Sequence, residues 1–241
     1  MTHRMYADLA WAWPVISPPA DYVSEAGQII KLIKKYARRP VHRLLHLGCG
    51  GGHLDFTLKL DFAVTGVDLS PQMLDLARKL NPQVTYQCGD MRTIRLDQRF
   101  DAVLVADSID YMLDEADLQA ACQTAHAHLA PGGVLCLLPD VTAESFEQHE
   151  TGAYTETSED GAAITILRNH FDPDPQDTTF EMTFVYLIRR NGLLNIETDR
   201  HLAGIFPTAV WLRSLKQSGF SAKTVHVNKH APRFVGIRNQ R

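Results

Sequence analysis

Between Arg43 and Leu138 five short apolar runs, RLLHL, AVTGVD, VTYQC, DAVLVA and GVLCLL, alternate with segments of helical periodicity. Strands separated by helix-length connections pair in parallel, and a parallel sheet must be covered on both faces. Ser70-Pro71 supplies an N-cap and a first-turn proline, after which Met73, Leu74, Ala77 and Leu80 recur at helical spacing. Leu118, Ala121, Cys122, Ala125 and Leu129 form a second stripe, ended by Pro131-Gly132-Gly133 before the fifth strand. Tyr22, Ala26, Ile29, Ile30 and Ile33 predict a helix ahead of the first strand.

Beyond Leu138 the period changes. Ile164 to His170, Thr179 to Ile188 and Leu193 to His201 alternate apolar with polar residues, and Asn191-Gly192 fits a type I′ hairpin turn. A helix follows over Thr208 to Gln217, closed by Gly219, then a strand pair over Ala222 to Val227 and Arg233 to Ile237 that completes the main sheet. The expected fold is α/β: a doubly wound, mostly parallel, seven-stranded sheet with helices on both faces and an antiparallel β insert as lid. Its expected divisions are an amino-terminal helical lid segment (1–40), a Rossmann-like cofactor domain (41–140 and 203–241) and the insert (141–202).

Leu47-Gly48-Cys49-Gly50-Gly51-Gly52 stands between the first strand and a helix beginning near His53. Glycines there permit a tight turn and let a ligand approach the backbone. Asp68 ends the next strand, where a carboxylate can accept hydrogen bonds from two ribose hydroxyls. Each signal has a plain alternative, turn chemistry for the glycines and helix capping for Asp68, but in this strand-turn-helix-strand setting they point together to an adenosine ligand. A dinucleotide fingerprint would put its third glycine at position 53, which is His53; the loop reads G-x-G-x-G.

A formal net charge of -4 without a Lys/Arg block disfavours nucleic acid and anionic lipid as partners. Cys49, Cys88, Cys122 and Cys136 are widely spaced, and His126 and His128 do not share a helix face, so no metal site is expected. No apolar run reaches membrane-spanning length and MTHRMYADLAWAWP lacks a signal-peptide pattern, so the expected location is cytoplasmic.

With the motifs LLHLGCGGG, GVDLS, Gly89-Asp90-Met91, FDAVLVADSIDYM and HLAPGGVL in this order, the chain resembles the class I S-adenosylmethionine-dependent methyltransferases, over about Tyr6 to Val227. The resemblance implies S-adenosylmethionine as cofactor, S-adenosylhomocysteine as product and direct displacement onto a small-molecule nitrogen or oxygen. It places Gly48, Gly50 and Gly52 along the methionine and ribose, Asp68 on the ribose, Leu69 and Met91 about the adenine, Asp90 at its exocyclic amine, and Ala106 and Asp107 near the methionine amino group. Tyr22, Cys49 and Met73 complete the expected cofactor set. One residue departs from the family: His46 stands where an acidic residue is usual. The competing readings are a nicotinamide-dependent oxidoreductase and a non-catalytic S-adenosylmethionine-binding regulator.

An amine acceptor must lose a proton, so base candidates are sought where the fourth strand and the insert face the pocket. These are Asp107, Tyr111, His170 and His201, with Asp110 beside them. Acceptor-binding candidates are Tyr6, Tyr22, Tyr111, Arg168 and Arg200; Trp11 and Trp13 could join Tyr6 and Tyr22 in an aromatic wall. Phe180, Met182, Phe184, Tyr186 and Ile188 should form the core face of their strand and Glu181, Thr183, Val185 and Leu187 its rim. Pairing of insert strands between subunits would give a homodimer.

Overall fold

The computed structural model describes residues 3–226 and 232–239. Its main sheet has seven strands: β1 (Arg43–Leu47), β2 (Ala63–Asp68), β3 (Thr85–Cys88), β4 (Phe100–Val105), β5 (Leu129–Leu137), β10 (Phe220–Val225) and β11 (Arg233–Arg238). Their order is β10-β11-β5-β4-β1-β2-β3, with β11 antiparallel to β5 and to β10 and the others parallel. Central β4 is buried at every position, as a strand covered on both faces must be. Val227, where the last hairpin was expected to begin its turn, lies outside the described residues.

Alternate residues of β1 enter different cores. Leu44 packs with α2 (Val23–Tyr36), α3 (His53–Leu58) and α4 (Pro71–Leu80), whereas Leu45 and Leu47 pack with α5 (Glu115–His128) and α6 (Thr208–Gln217). The caps behave as their residue types dictate: Ser70 Oγ accepts from Met73 N at 3.1 Å, and an Asp114 carboxylate oxygen accepts from Asp117 N at 2.8 Å. Pro131-Gly132-Gly133 does not stop the chain before the fifth strand. It lies within β5, where the β4 pairing shifts register and Gly132 takes φ +79°, so the turn signal is a bulge.

The second sheet is antiparallel, in the order β6 (Thr151–Thr157), β7 (Ala163–Phe171), β8 (Thr179–Arg190) and β9 (Leu193–Gly204). Asn191 and Gly192 take φ +51° and +78°, the two positive values that a type I′ turn requires. Sequence reading missed β6: all seven of its residues are exposed, so it carries no buried alternation. On the inner face Ile164, Ile166, Tyr186 and Ile188 close over Met5, Leu9, Ala12 and Ile16 of the amino-terminal segment. The same segment reaches the main sheet, where Ser70 Oγ donates to the Tyr6 carbonyl and a Cβ built on Gly51 would lie 2.9 Å from the Trp13 ring. It therefore bridges insert and glycine loop.

Candidate active site

Strand order reverses between β1 and β4, and in open α/β sheets ligands bind beyond the carboxyl ends of the strands at such a point. The glycine loop sits there. Gly48 N and Cys49 N both donate to Val67 O, at 2.7 and 3.0 Å, which ties the turn to β2. Gly48, Gly50 and Gly52 take φ of +71°, +52° and +75°, in the left-handed region that side chains avoid. A Cβ on Gly48 would fall 2.0 Å from Ser108 Oγ, whereas one on Gly50 would meet only the Met73 methyl at 3.5 Å. That is a cradle with open space above Gly50.

Asp68 binds the loop from β2: one carboxylate oxygen accepts from Gly50 N and the other from Ser70 N, both at 2.8 Å. Burial pushes its pKa up and these two N–H donors pull it back. A carboxylate has about four lone-pair sites, so acceptors remain for a pair of ribose hydroxyls. Met73 and Met91 are buried beside this site, while Leu69 is 63% exposed on its rim. Asp90 is engaged by the Arg92 guanidinium, with contacts of 2.6 to 3.1 Å, and Arg92 also grips Asp117.

Asp107 projects beyond β4 into space that water can enter, although protein atoms surround it closely. Burial first, then Asp140 and Glu25, hold its carboxyl well above the ordinary range, against the pull of Arg233. Asp110 is also raised by burial and Asp140; one of its oxygens accepts from Asp140 N at 2.9 Å and the other is buried without a partner. Tyr22 bonds to Ser17 Oγ, and burial pushes its phenol up to about 12. Asp107, Asp140 and Glu25 thus concentrate acidic groups near the end of β4, which favours a cationic guest.

The opposite wall is a chain of side chains drawn from three regions. Tyr6 OH lies 2.9 Å from Tyr111 OH, Tyr111 OH lies 2.7 Å from His201 Nδ1, and His201 Nε2 lies 2.8 Å from Asp199 Oδ2. Asp199 Oδ2 also accepts from Met5 N at 2.8 Å, which pins the amino-terminal segment. His3 packs on His201 with centroids 4.0 Å apart and the rings tilted by 39°, and burial, with His201 beside it, lowers its pKa to about 4. Among the described residues, His3, Asp199 and His201 form the one group whose ligand atoms lie within 4.8 Å of one another as a metal site requires. Sequence reading included neither Asp199 nor His3. The spacing Asp199-Arg200-His201 carries a signal, because residues two apart on a strand share a face.

Period two also displaces an expectation. Arg200 alternates with His201, so it stands on the outer face, 67% exposed and paired with Glu181, and it does not reach the cleft. Arg168 and His170 share the inner face by register with Phe184 and Met182, but both sit against Glu150, at 3.4 Å. His170 packs edgewise on Phe180, away from the tyrosine chain. Trp11 is 41% exposed under the Arg190 guanidinium, so it forms no part of an aromatic wall. Trp13 does join Tyr6, edge to face with centroids 6.2 Å apart, and its other neighbour His53 links it to Tyr22.

Fold and loop together define a nucleoside-cofactor-binding α/β protein. Residues 44–133 match the model of a methyltransferase domain. The chain is 31% identical over 202 residues, 83% of either chain, to the dTDP-3-amino-3,4,6-trideoxy-alpha-D-glucopyranose N,N-dimethyltransferase of Streptomyces venezuelae. It superposes on the crystal structure of Streptomyces venezuelae DesVI with a TM-score of 0.83 and 26% identity, over 90% of this chain and 92% of that one. The SAM-bound structure of CalS10, an amino pentose methyltransferase from Micromonospora echinaspora, gives 0.80 and 28%, over 90% and 92%. The chain belongs to the class I S-adenosylmethionine-dependent methyltransferases that act on small molecules. It is therefore an enzyme that uses S-adenosylmethionine, and the oxidoreductase and non-catalytic readings fall away.

Proposed function

We propose that the acceptor is the amine nitrogen of an amino sugar and that the cleft between Asp68, Asp107, Tyr6 and Tyr111 is where methyl transfer occurs. The observation that carries this is the electrostatic proximity of Asp107 to Asp140 and Glu25 beyond the carboxyl end of β4, a concentration of acid that draws in a protonated amine. The amino-sugar substrates named for the relatives support it.

When bound, S-adenosylmethionine supplies an electrophilic methyl group on a sulfonium. The chain's part is to hold, orient and exclude water. In this proposal Gly48, Cys49, Gly50 and Gly52 border the methionine and ribose and Asp68 takes the ribose hydroxyls. Leu69, Met73 and Met91 enclose the adenine, and Asp90, steadied by Arg92, accepts from its amine. Ala106, Asp107 and Tyr22 lie beside the cationic end. Tyr6, Tyr22 and Tyr111 line the acceptor side, while Arg168 reaches it only by leaving Glu150. The division into amino-terminal segment, cofactor domain and insert belongs to the same proposal, with the first and last closing over the cleft.

Among the described residues no helix is long and apolar enough to cross a membrane. A cytoplasmic location belongs to the same proposal, supported by four cysteines that are all free. The outer face of the second sheet exposes Leu167, Leu194, Ile196 and Leu202, which supports a homodimer joined there; Ile196→Glu should then yield monomers by light scattering.

The test of function is incubation with S-adenosylmethionine and the relative's substrate, dTDP-3-amino-3,4,6-trideoxyglucose, with mass spectrometry. One or two methyl groups on the amine are expected. Binding of the cofactor product with no methylation of this or other nucleotide amino sugars would remove the amino-sugar assignment.

A further inference from the structure

We propose that Tyr6, Tyr111, His201 and Asp199 form a directional proton relay that carries the acceptor's proton out of the cleft, with Asp199 setting its direction. The inference rests on the amine acceptor proposed above for its source of protons. Its three contacts, 2.9, 2.7 and 2.8 Å, leave no gap between the cleft and the buried face of the second sheet.

The direction follows from donor and acceptor inventory. An ionised carboxylate can only accept, and Asp199 Oδ2 already accepts from Met5 N. His201 Nε2 must therefore carry the hydrogen, which leaves Nδ1 as a bare acceptor. Nδ1 can then take only the Tyr111 hydroxyl proton, so the Tyr111 oxygen is free to accept from Tyr6. The Tyr6 oxygen in turn accepts from the cleft, where its neighbours include Asp68, Asp107 and Asp140. Every hydroxyl points the same way, away from the acceptor.

The step balances. The ammonium N–H breaks and its electron pair stays on nitrogen as the nucleophile. Its proton goes to the Tyr6 oxygen, Tyr6 passes its own to Tyr111, and Tyr111 passes its own to His201 Nδ1. The result is one neutral amine, two intact phenols and an imidazolium beside the Asp199 carboxylate. Burial disfavours the charged His201 ring, so it rests neutral, and the Asp199 carboxylate at 2.8 Å, which pulls the other way, supports the imidazolium when the proton arrives. Burial also raises both phenols, so each passes a proton on without standing as phenolate. His3 covers the His201 ring and is itself neutral at pH 7. Asp199 and His201 are thus positioning and relay groups, because only the tyrosines face the acceptor.

The test uses the full chain with ring-¹⁵N histidine, bound to S-adenosylhomocysteine, with His201 assigned by difference from His201→Gln. The expected wild-type signal is the Nε2–H tautomer. Asp199→Asn keeps an acceptor for Met5 N but can present its amide N–H to Nε2, so the Nδ1–H tautomer should appear. With the thymidine-diphosphate amino sugar as probe, Asp199→Asn and Tyr111→Phe should each lower kcat by about 100-fold, with KM for S-adenosylmethionine within about twofold. A wild-type Nδ1–H tautomer overturns the relay whatever the acceptor is. So does full turnover by both variants, or one equivalent of Zn²⁺ captured by His3, Asp199 and His201 in the active protein. If wild type leaves the probe unmethylated but shows the Nε2–H tautomer, the amino-sugar assignment fails and the relay geometry stands.

Discussion

His46 Nδ1 lies 2.7 Å from Asp55 Oδ1, and neither side chain is open to solvent. The imidazole that replaces the family's usual acidic residue is thus backed by a carboxylate from α3. The second Asp55 oxygen accepts from Tyr86 OH at 3.0 Å, while His46 Nε2 is buried without a partner.

Asp55→Ala should therefore be costly. It removes the shared acceptor of His46 and Tyr86, and a buried donor left unsatisfied typically costs about 1–3 kcal/mol. Urea unfolding should show this as a lower midpoint. His46→Asp alone would press two buried carboxylates together, and His46→Asp with Asp55→Asn should recover much of the loss. Equal stability of His46→Asp and wild type would contradict the pairing.

Asp68→Ala tests the cofactor cradle. Two ribose hydrogen bonds to a charged acceptor, at about 1.5–3 kcal/mol each before compensation, translate to a 10- to 100-fold weaker Kd for S-adenosylhomocysteine. Isothermal titration reads this directly. Unchanged affinity would take Asp68 out of the site.

Two glycines should respond in opposite senses. Gly48→Ala forces a Cβ to within 2.0 Å of Ser108 Oγ at φ +71°, so it should lower the melting temperature and cofactor affinity together. Gly27→Ala, in the interior of α2 with nothing within 4 Å of its Cβ, should stabilise by about 0.5–1 kcal/mol. Differential scanning calorimetry of both variants decides it.

Acidification should weaken the fold through His53. Burial lowers its pKa from 6.5 to about 4, so below pH 6.5 the unfolded chain binds a proton that the folded chain refuses. Its contribution is complete above pH 6.5 and is lost as pH falls toward 4, by at most about 1.4 kcal/mol per pH unit. Raised carboxyls such as Asp107 act in the opposite sense, favouring the fold at lower pH. The difference between wild type and His53→Gln isolates the histidine, and it should shrink across that window. Parallel stability profiles would contradict it.

Local pattern made much of this legible. Strand and helix periods, the Ser70-Pro71 start, the Asn191-Gly192 turn and the glycine loop with Asp68 each act over a few residues, so their physics is written in neighbouring letters. What escaped was set by distant partners. Edge strand β6 has no buried face to betray it, and Pro131-Gly132-Gly133 became a bulge because β5 pairs with β4 on both sides of it.

The sequence by itself therefore determined the class of fold and the loop that cradles the cofactor, because turn chemistry and periodicity are local. Only the tertiary structure decided which polar side chains meet. Arg200 and His201 are adjacent in the chain, yet packing of Met5, Leu9 and Ile16 on the inner face of the second sheet fixes which side is buried. That choice turns Arg200 out to Glu181 and brings His201 to Tyr111, 90 positions away, and Tyr111 to Tyr6, 105 positions away.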